Sequence, residues 1–197
     1  MIRAFTFLSV LVQSAYVAMG QTVVLEYDVL VYSANAAGVA AAVTASGSQA
    51  PHFSVSVVEP LEMIGGMAAA GGVALMNQGG CGLTGLSKNW SMLCGEYYYG
   101  YPTMMTPVNA PFPSMNVSEM AFWTLLRSRP HIDVTTGCWA TEVHRASEEA
   151  TPGTPGCLNQ VDFECNNGTK FSVRASYLID ASYDGDLMVM VTATPLT

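Results

Sequence analysis

The stretch of residues 27–59 constrains the fold of this chain more than any other part of its sequence. It begins with an apolar run that ends at Tyr32, passes through a turn of small residues and continues as an alanine-rich segment. A second run, rich in valine, follows and ends in the carboxylate of Glu59. Two apolar runs of strand length with a helical segment between them are typical of a βαβ unit with parallel strands. The sequence therefore predicts an α/β fold with a parallel sheet.

The turn after the first run is placed to bind a phosphate group. The N-terminus of the following helix offers backbone N–H groups and the positive end of the helix dipole. Set against the pattern G-x-G-x-x-G, the turn has Ser33, Asn35 and Gly38 at the glycine positions, so only the third glycine is retained. Glu59, at the tip of the second strand, would accept hydrogen bonds from a ribose. These residues predict a dinucleotide site, and the alternative is an ordinary βαβ packing unit.

Two further blocks make the chain similar to a known family. Residues 60–67 read PLEMIGGM, and residues 178–187 read LIDASYDGDL. Together with the YDVLVYSANAAG start at residues 27–38, and in the same order, these blocks resemble the FAD-dependent oxidoreductases of the two-dinucleotide-fold class. The resemblance implies a Rossmann-like FAD/NAD(P)-binding βαβ domain with a parallel sheet and a small antiparallel β-meander insert. FAD is the cofactor that it implies.

The resemblance also implies which residues hold FAD. Gly65 and Gly66 match a glycine pair whose backbone N–H groups face the FAD phosphates, although a glycine loop that only packs under the sheet edge is the alternative. Asp180 and Asp186 lie in the block that closes over the cofactor, but Asp-Gly is also a common turn pair. The predicted cofactor-binding residues are Ser33, Ala34, Asn35, Ala37, Gly38, Glu59, Pro60, Gly65, Gly66, Met67, Val143, Asp180 and Asp186. Val143 belongs to a segment that the family brings to the adenine side, or else to a scaffold strand.

Two features separate this chain from a complete member of that family. Asn77 stands where the family usually has an aspartate near the flavin, so an amide replaces a charge. The sequence also ends at Thr197, before the substrate domain and the segment that holds the flavin end of FAD. We therefore expect the FAD-binding N-terminal portion of an FAD-dependent oxidoreductase, with its catalytic residues unassigned. The alternative is a secreted, non-catalytic or truncated remnant that keeps the fold without the cofactor.

The first 20 residues have the pattern of a secretory signal peptide. Arg3 precedes an apolar run at residues 4–19, and the small residues after it predict cleavage after Gly20. The run is interrupted and shorter than the roughly 20 apolar residues of a good membrane span, although a retained signal anchor is the alternative. We expect a secreted or lumenal domain of residues 21–197 with no membrane span once the signal is removed.

The net charge and the spacing of the histidines limit the classes of partner that the sequence predicts. The chain has 15 acidic and 7 basic residues, a formal net charge of −8. An acidic surface with few lysines cannot neutralise phosphates along a duplex, so the sequence predicts no nucleic-acid partner. No C-x-x-C or H-x-x-H pair occurs, and the three histidines are scattered, so it also predicts no metal site. The expected partners are FAD and a small-molecule substrate that the sequence does not identify.

Five cysteines behind a signal peptide are candidates for disulfides. The pairs closest in sequence are Cys81 with Cys94 and Cys157 with Cys165, which leaves Cys138 over, but the connectivity stays open. Three N-x-S/T sequons fit passage through a secretory pathway as a glycoprotein. They begin at Asn89, Asn116 and Asn167.

The second half of the chain gives clear signals for its elements. Asn116 and Glu119 form a capping box that starts a helix, and Pro130 ends it. Strands are predicted at residues 132–136 and 140–145. Asn-Asn-Gly at residues 166–168 predicts a hairpin between strands at 161–165 and 169–173, and a return strand follows at 177–180.

The segment of residues 90–113 holds four tyrosines followed by four prolines. Repeated proline predicts an extended, irregular connection rather than a helix. The tyrosines would line a carbohydrate or flavin-side pocket, or else pack with their hydroxyls at the surface. They are Tyr97, Tyr98, Tyr99 and Tyr101.

Overall fold

The computed structural model describes residues 23–47, 52–69, 83–104, 113–145 and 158–193. The predicted signal peptide, Asn77, Cys81 and Cys157 lie outside these residues. Within them, no helix is both long and apolar enough to cross a bilayer. The elements are β1 (Val23–Tyr32), α1 (Ala36–Ala45), β2 (Val55–Glu59), a 3₁₀ turn (Gly66–Ala68), α2 (Gly85–Tyr99), α3 (Met115–Arg127), β3 (Ile132–Thr136), β4 (Cys138–Arg145), β5 (Leu158–Cys165), β6 (Lys170–Asp180) and α4 (Asp186–Ala193).

The first three elements form the parallel βαβ unit that the sequence predicts. β1 and β2 pair in parallel, from Val29 with Val55 to Tyr32 with Val58. α1 follows the turn because alanine is the strongest helix former and Asn35 caps the first turn with its side chain.

All six strands join one sheet in the order β3-β2-β1-β6-β5-β4. β3, β2, β1 and β6 are parallel, whereas β5 pairs antiparallel with both β6 and β4. This arrangement confirms the predicted parallel sheet with an antiparallel β-meander. The hairpin at residues 166–168 is also confirmed, because it joins β5 to β6.

The two strands predicted at residues 169–173 and 177–180 are one continuous strand, β6. That prediction was wrong because β1 is ten residues long and gives β6 a partner along its whole length. The pairing runs from Val23 with Phe171 to Tyr32 with Asp180. β5 uses only the first half of the other edge, from Lys170 to Arg174.

β1 separates two apolar cores, one on each face of the sheet. Val29 and Val31 point to the core shared with α1, α2 and α3. Leu30 and Tyr32 point to a second core, made with the meander. The last four residues of β1 are buried on both faces, and because successive strand side chains alternate between faces, this part of the strand reads as a continuous apolar run.

Helix α2 corrects the prediction of an irregular segment after Trp90. The helix continues to Tyr99 because every proline of the segment comes later, from Pro102 onward. Gly100 then ends it with a left-handed φ of 77°. Tyr97, Tyr98 and Tyr99 are exposed on its last turn, as surface packing would leave them.

Helix α3 begins two residues earlier than predicted, and the capping box at Asn116 does not form. Ser114 is the N-cap, so Asn116 lies inside the first turn. Glu119 accepts a hydrogen bond from the N–H of Ile64 at 3.3 Å, a tertiary contact that local spacing could not reveal.

A disulfide joins Cys138 on β4 to Cys165 on β5. The two residues lie directly opposite each other in the antiparallel register, which is why they pair although 27 residues separate them. This bond rules out the pairing of Cys165 with Cys157. Among the described residues, Cys94 is a free and buried thiol, and burial raises its pKa to about 12.

Candidate functional site

The carboxyl ends of β1, β2 and β6 lie side by side at one edge of the sheet, and the space beyond them is the candidate crevice. β1 lies between β2 and β6, which is the point where the strand order reverses and where open α/β sheets bind ligands. The N–H of Ser33 donates to the carbonyl of Val58 at 2.8 Å, and the N–H of Ala181 donates to the carbonyl of Tyr32 at 2.9 Å. The crevice is therefore bordered by the turn at residues 33–35 and by the loop after β6.

Ser33 makes the tight turn that a glycine makes more easily. Its φ is 76°, the only left-handed value at a non-glycine residue in the part of the chain that the structure describes. An L-residue in this conformation costs about 1–2 kcal/mol. Its hydroxyl donates to Glu59 Oε2 at 3.2 Å, so the residue at the first glycine position also holds the acid of the site.

Gly38, at the third glycine position, allows the helix to approach the strand closely. A Cβ at this residue would lie 1.9 Å from the carbonyl oxygen of Ser33. No side chain fits there, and this is the role that the sequence pattern assigns to the third glycine.

Glu59 is fixed at the tip of β2 with only 5% of its surface exposed. Oε2 accepts from the N–H of Ala34 at 2.5 Å, and Oε1 accepts from the N–H of Leu61 at 2.9 Å. A carboxylate has about four acceptor positions, so these bonds and the one from Ser33 leave capacity for a ribose hydroxyl. Pro60 follows and turns the chain toward the 3₁₀ turn.

Asn35 occupies the second glycine position, and its side chain bonds to backbone N–H groups at the N-terminus of α1. Its Oδ1 accepts from the N–H groups of Ala37 at 2.9 Å and Gly38 at 3.0 Å. Its Nδ2 donates to the carbonyl of Ala181 at 2.5 Å. Two N–H groups that the sequence assigns to a phosphate are thus bonded to the protein's own side chain.

The glycine pair forms the opposite wall of the crevice. The N–H of Gly65 donates to the carbonyl of Ala34 at 2.8 Å, which joins the two walls. The N–H of Met67 donates to the hydroxyl of Tyr183 at 2.7 Å. A Cβ on Gly66 would lie 2.3 Å from that hydroxyl oxygen, so the absence of a side chain makes room for Tyr183.

Tyr183 is the site residue that sequence reasoning missed. It belongs to the LIDASYDGDL block, but only Asp180 and Asp186 of that block were predicted to bind the cofactor. An aromatic residue in a loop gives no signal of its own, because only the fold brings it to the glycine pair.

Asp180 organises the loop and the next helix. Its Oδ1 accepts from Ser182 Oγ at 2.6 Å and from the N–H of Ser182 at 3.0 Å. Its Oδ2 accepts from the N–H groups of Leu187 at 3.0 Å and Met188 at 3.2 Å, in the first turn of α4. These bonds match the turn-forming alternative, and a role in holding the cofactor stays a prediction.

Acidic side chains gather around the end of β1. Burial raises the pKa of the Tyr32 hydroxyl, and the negative charges of Asp186, Glu59 and Asp180 raise it further. Burial also raises the pKa of Asp186, together with the charges of Asp180 and Asp184. The carboxylates of Glu59, Asp180 and Asp186 therefore all lie near the hydroxyl of Tyr32.

The side chain of Val143 does not reach this crevice, because it is buried in the core of the meander. It pairs with Val161 in the middle of β4. Its backbone role on the adenine side stays a prediction.

One group of side chains on the meander has the composition of a metal site. Ligand atoms of Glu142, His144 and Asp162 lie within 4.8 Å of one another. His144 Nε2 is 2.8 Å from Asp162 Oδ2, while Ser172 Oγ donates to Asp162 Oδ1 at 2.6 Å. One hydrogen bond thus joins His144 to Asp162, and Glu142 Oε1 lies 4.0 Å from His144 Nδ1.

Comparison with known proteins gives one matching family and several solved structures of similar fold. The sequence profile of the family described as FAD dependent oxidoreductase matches residues 28–194. No curated protein matches the sequence. The quinol fumarate reductase of E. coli is similar in structure, with a TM-score of 0.52 and 11% identity over 81% of this chain and 33% of that chain. This similarity shows the fold, and the chain spans about a third of that protein.

Two further structures are similar at lower TM-scores. The Sdh1 complex of Mycobacterium smegmatis gives 0.48, with 15% identity over 81% of this chain and 34% of that chain. The myxobacterial chondrochloren halogenase CndH, described as a variant of FAD-dependent halogenases, gives 0.47, with 13% identity over 80% of this chain and 37% of that chain.

Proposed function

This chain belongs to the FAD-dependent oxidoreductase family, and from that membership we propose that it binds the ADP part of FAD in the crevice at the ends of β1, β2 and β6. The profile of that family matches most of the chain. The activity that we propose is oxidation of a small-molecule substrate by the protein of which this domain is the FAD-binding portion.

The observation that supports this proposal best is the position of Glu59. Its carboxylate is held at the tip of β2 by Ser33, Ala34 and Leu61, and acceptor capacity is left over. Gly38 supplies the close approach of helix to strand that a dinucleotide turn needs. The turn and the acid therefore fit an adenosine ribose.

The residues of the chain would bind and orient the cofactor. Glu59 would accept a hydrogen bond from a ribose hydroxyl, and the backbone N–H groups of Gly66 and Met67 would face the phosphates. When bound, FAD supplies a flavin that accepts a hydride from a substrate carbon. Asn35 and Tyr183 bond to N–H groups on both walls, so a phosphate must share or displace these contacts.

A titration with FAD tests the proposal on residues 21–197. We expect Glu59→Gln to weaken binding about tenfold or more, because hydrogen bonds to a charged group contribute about 1.5–3 kcal/mol. Glu96→Gln, on the exposed surface of α2, is the matched control and should bind like the wild type. Flavin absorbance and fluorescence measure the bound fraction, and circular dichroism shows that each variant is folded.

The second candidate is a remnant that keeps the fold without the cofactor. The bonds from Ala37, Gly38 and Met67 to side chains of the same protein favour it, because these N–H groups are already satisfied. A folded wild-type protein that binds no FAD at high concentration would support this candidate and contradict the first.

We also propose that the domain enters a secretory pathway after cleavage behind Gly20 and carries N-linked glycan. Asn89, Asn116 and Asn167 are all exposed, which supports this proposal. The disulfide on the meander also supports an oxidising compartment. The test is expression in eukaryotic cells. If the proposal holds, the protein is found in the medium, and its mass falls when it is treated with a glycosidase.

A further inference from the structure

Tyr183 lies on the wall of the crevice that the proposed function assigns to the cofactor phosphates. Its hydroxyl oxygen accepts the N–H of Met67 at 2.7 Å. The same oxygen would clash with any side chain at Gly66, where a Cβ would lie 2.3 Å away. The hydroxyl therefore has the position and the acceptor role that an oxygen of a bound phosphate would have on this wall.

The loop that carries Tyr183 is held firmly at both ends. The N–H of Ala181 donates to the carbonyl of Tyr32, and Asp180 accepts both the N–H and the hydroxyl of Ser182. Ser182 Oγ in turn accepts the N–H of Asp186 at 2.8 Å. The backbone of the loop is fixed by these bonds.

The side chain of Tyr183 has more freedom than its backbone. It is 59% exposed, in contrast to Tyr32, which is 2% exposed on the neighbouring strand end. An exposed ring can change rotamer on the picosecond to nanosecond timescale without disturbing a core. Its hydroxyl can thus leave Met67 while the loop stays in place.

We propose that Tyr183 is a reversible occupant of the cofactor crevice. Its hydroxyl holds the N–H of Met67 in the cofactor-free protein, and a phosphate oxygen of FAD takes that N–H when the cofactor binds. This inference rests on the proposed function. Tyr183 then competes with the cofactor. The apparent affinity for FAD equals the intrinsic affinity multiplied by the fraction of protein in which the crevice is open.

Tyr183→Phe tests the hydroxyl while keeping the ring, and Tyr183→Ala removes both. We expect each variant to bind FAD about fivefold more tightly than the wild type, the size of one hydrogen bond that no longer competes. Tyr177→Phe is the matched control, because Tyr177 is a similarly exposed tyrosine, 64% exposed, on β6. It should bind FAD like the wild type.

A second measurement does not depend on affinity. The amide resonance of Met67 in a ¹H–¹⁵N spectrum should shift in cofactor-free Tyr183→Phe, because its acceptor is gone. It should also move when FAD is added to the wild type. In the Tyr177→Phe control, this resonance should stay where it is in the wild type.

The outcomes separate the inference from the proposed function. If the wild type binds FAD and Tyr183→Phe binds equally or more weakly, the inference is overturned and the proposed function stands. If only the Tyr183 variants bind, the inference holds with the crevice mostly closed in the wild type. If no folded variant binds FAD, the proposed function fails, and the inference fails with it.

Discussion

Three positions of the phosphate-binding turn show how single residues set what the crevice can do. Ser33 accepts a left-handed backbone and turns its hydroxyl to Glu59. Asn35 caps the helix with the amide that replaces a glycine. Gly38 alone keeps the family's residue, and it is the position where a side chain has no room. The one glycine of the G-x-G-x-x-G pattern that this chain retains is therefore the one at which a side chain has no room.

Gly38→Ala should destabilise the protein by about 3 kcal/mol or more, because its Cβ would lie 1.9 Å from the carbonyl oxygen of Ser33, a residue whose N–H is bonded to β2. Gly168→Ala is the control: no atom lies within 4 Å of the added Cβ, so its cost comes only from its left-handed φ of 79°, whereas Gly38 lies in helix α1. This variant should lose only about 1–2 kcal/mol. Urea denaturation measures both, and equal losses would contradict a steric role for Gly38.

At the scale of elements, side-chain hydrogen bonds join strands and helices to segments that are distant in sequence. Asp28 on β1 accepts the N–H and the hydroxyl of Ser54, both at 2.7 Å, just before β2 begins. Glu119 on α3 accepts from Ile64 ahead of the 3₁₀ turn. Each contact fixes the start or the end of an element, and each joins residues that are distant in sequence.

The contact between Asp28 and Ser54 gives a prediction about pH. Hydrogen bonds from Ser54 hold the pKa of Asp28 below its usual value. Because the folded pKa is the lower one, this stabilisation is present above the unfolded pKa of about 3.9 and is lost as the pH falls through the folded value. Asp28→Asn should therefore melt below the wild type at pH 7, and the gap should close below about pH 4.

Asp184→Asn serves as the control for this measurement, because Asp184 is an exposed aspartate in the loop after β6. Its melting temperature should follow that of the wild type at each pH. A gap between Asp28→Asn and the wild type that stays constant from pH 7 to pH 3 would show that the contact does not depend on ionisation.

At the scale of the whole molecule, the sheet must curl back on itself. β3 and β4 lie at opposite ends of the strand order, yet only Gly137 separates them in the chain. Gly137 takes a left-handed φ of 68°, and its N–H and carbonyl bond to Leu61 and Asn166. The meander therefore covers the face of the parallel sheet opposite α1, α2 and α3, and α4 packs on this same face.

The disulfide between Cys138 and Cys165 closes this arrangement next to Gly137. Replacing both cysteines with serine should lower the free energy of unfolding by about 3 kcal/mol, the value expected for a loop of this length. Chemical denaturation measures the change, and wild-type protein kept under a strong reductant should show the same loss. An unchanged midpoint in both samples would contradict a stabilising role for this bond.

Local patterns in the sequence predicted most of the elements and part of the site. The βαβ unit, the hairpin at residues 166–168 and the strand at residues 132–136 were predicted correctly, because turn chemistry and side-chain periodicity are properties of neighbouring residues. Helix α2 was missed, because the prolines that predicted an irregular connection over residues 90–113 all follow the end of the helix. The capping box at Asn116 failed because its glutamate has a tertiary partner.

The sequence by itself determined the family, the parallel βαβ unit and the acid at the tip of β2, since each depends on short contiguous blocks and on their order along the chain. Only the tertiary structure decided that β6 is one strand, that Cys138 pairs with Cys165 and that Tyr183 reaches Met67. These three contacts join residues between 27 and about 150 positions apart, and their partners are chosen by strand register and loop direction. Register depends on how the whole sheet packs, so no local pattern encodes it.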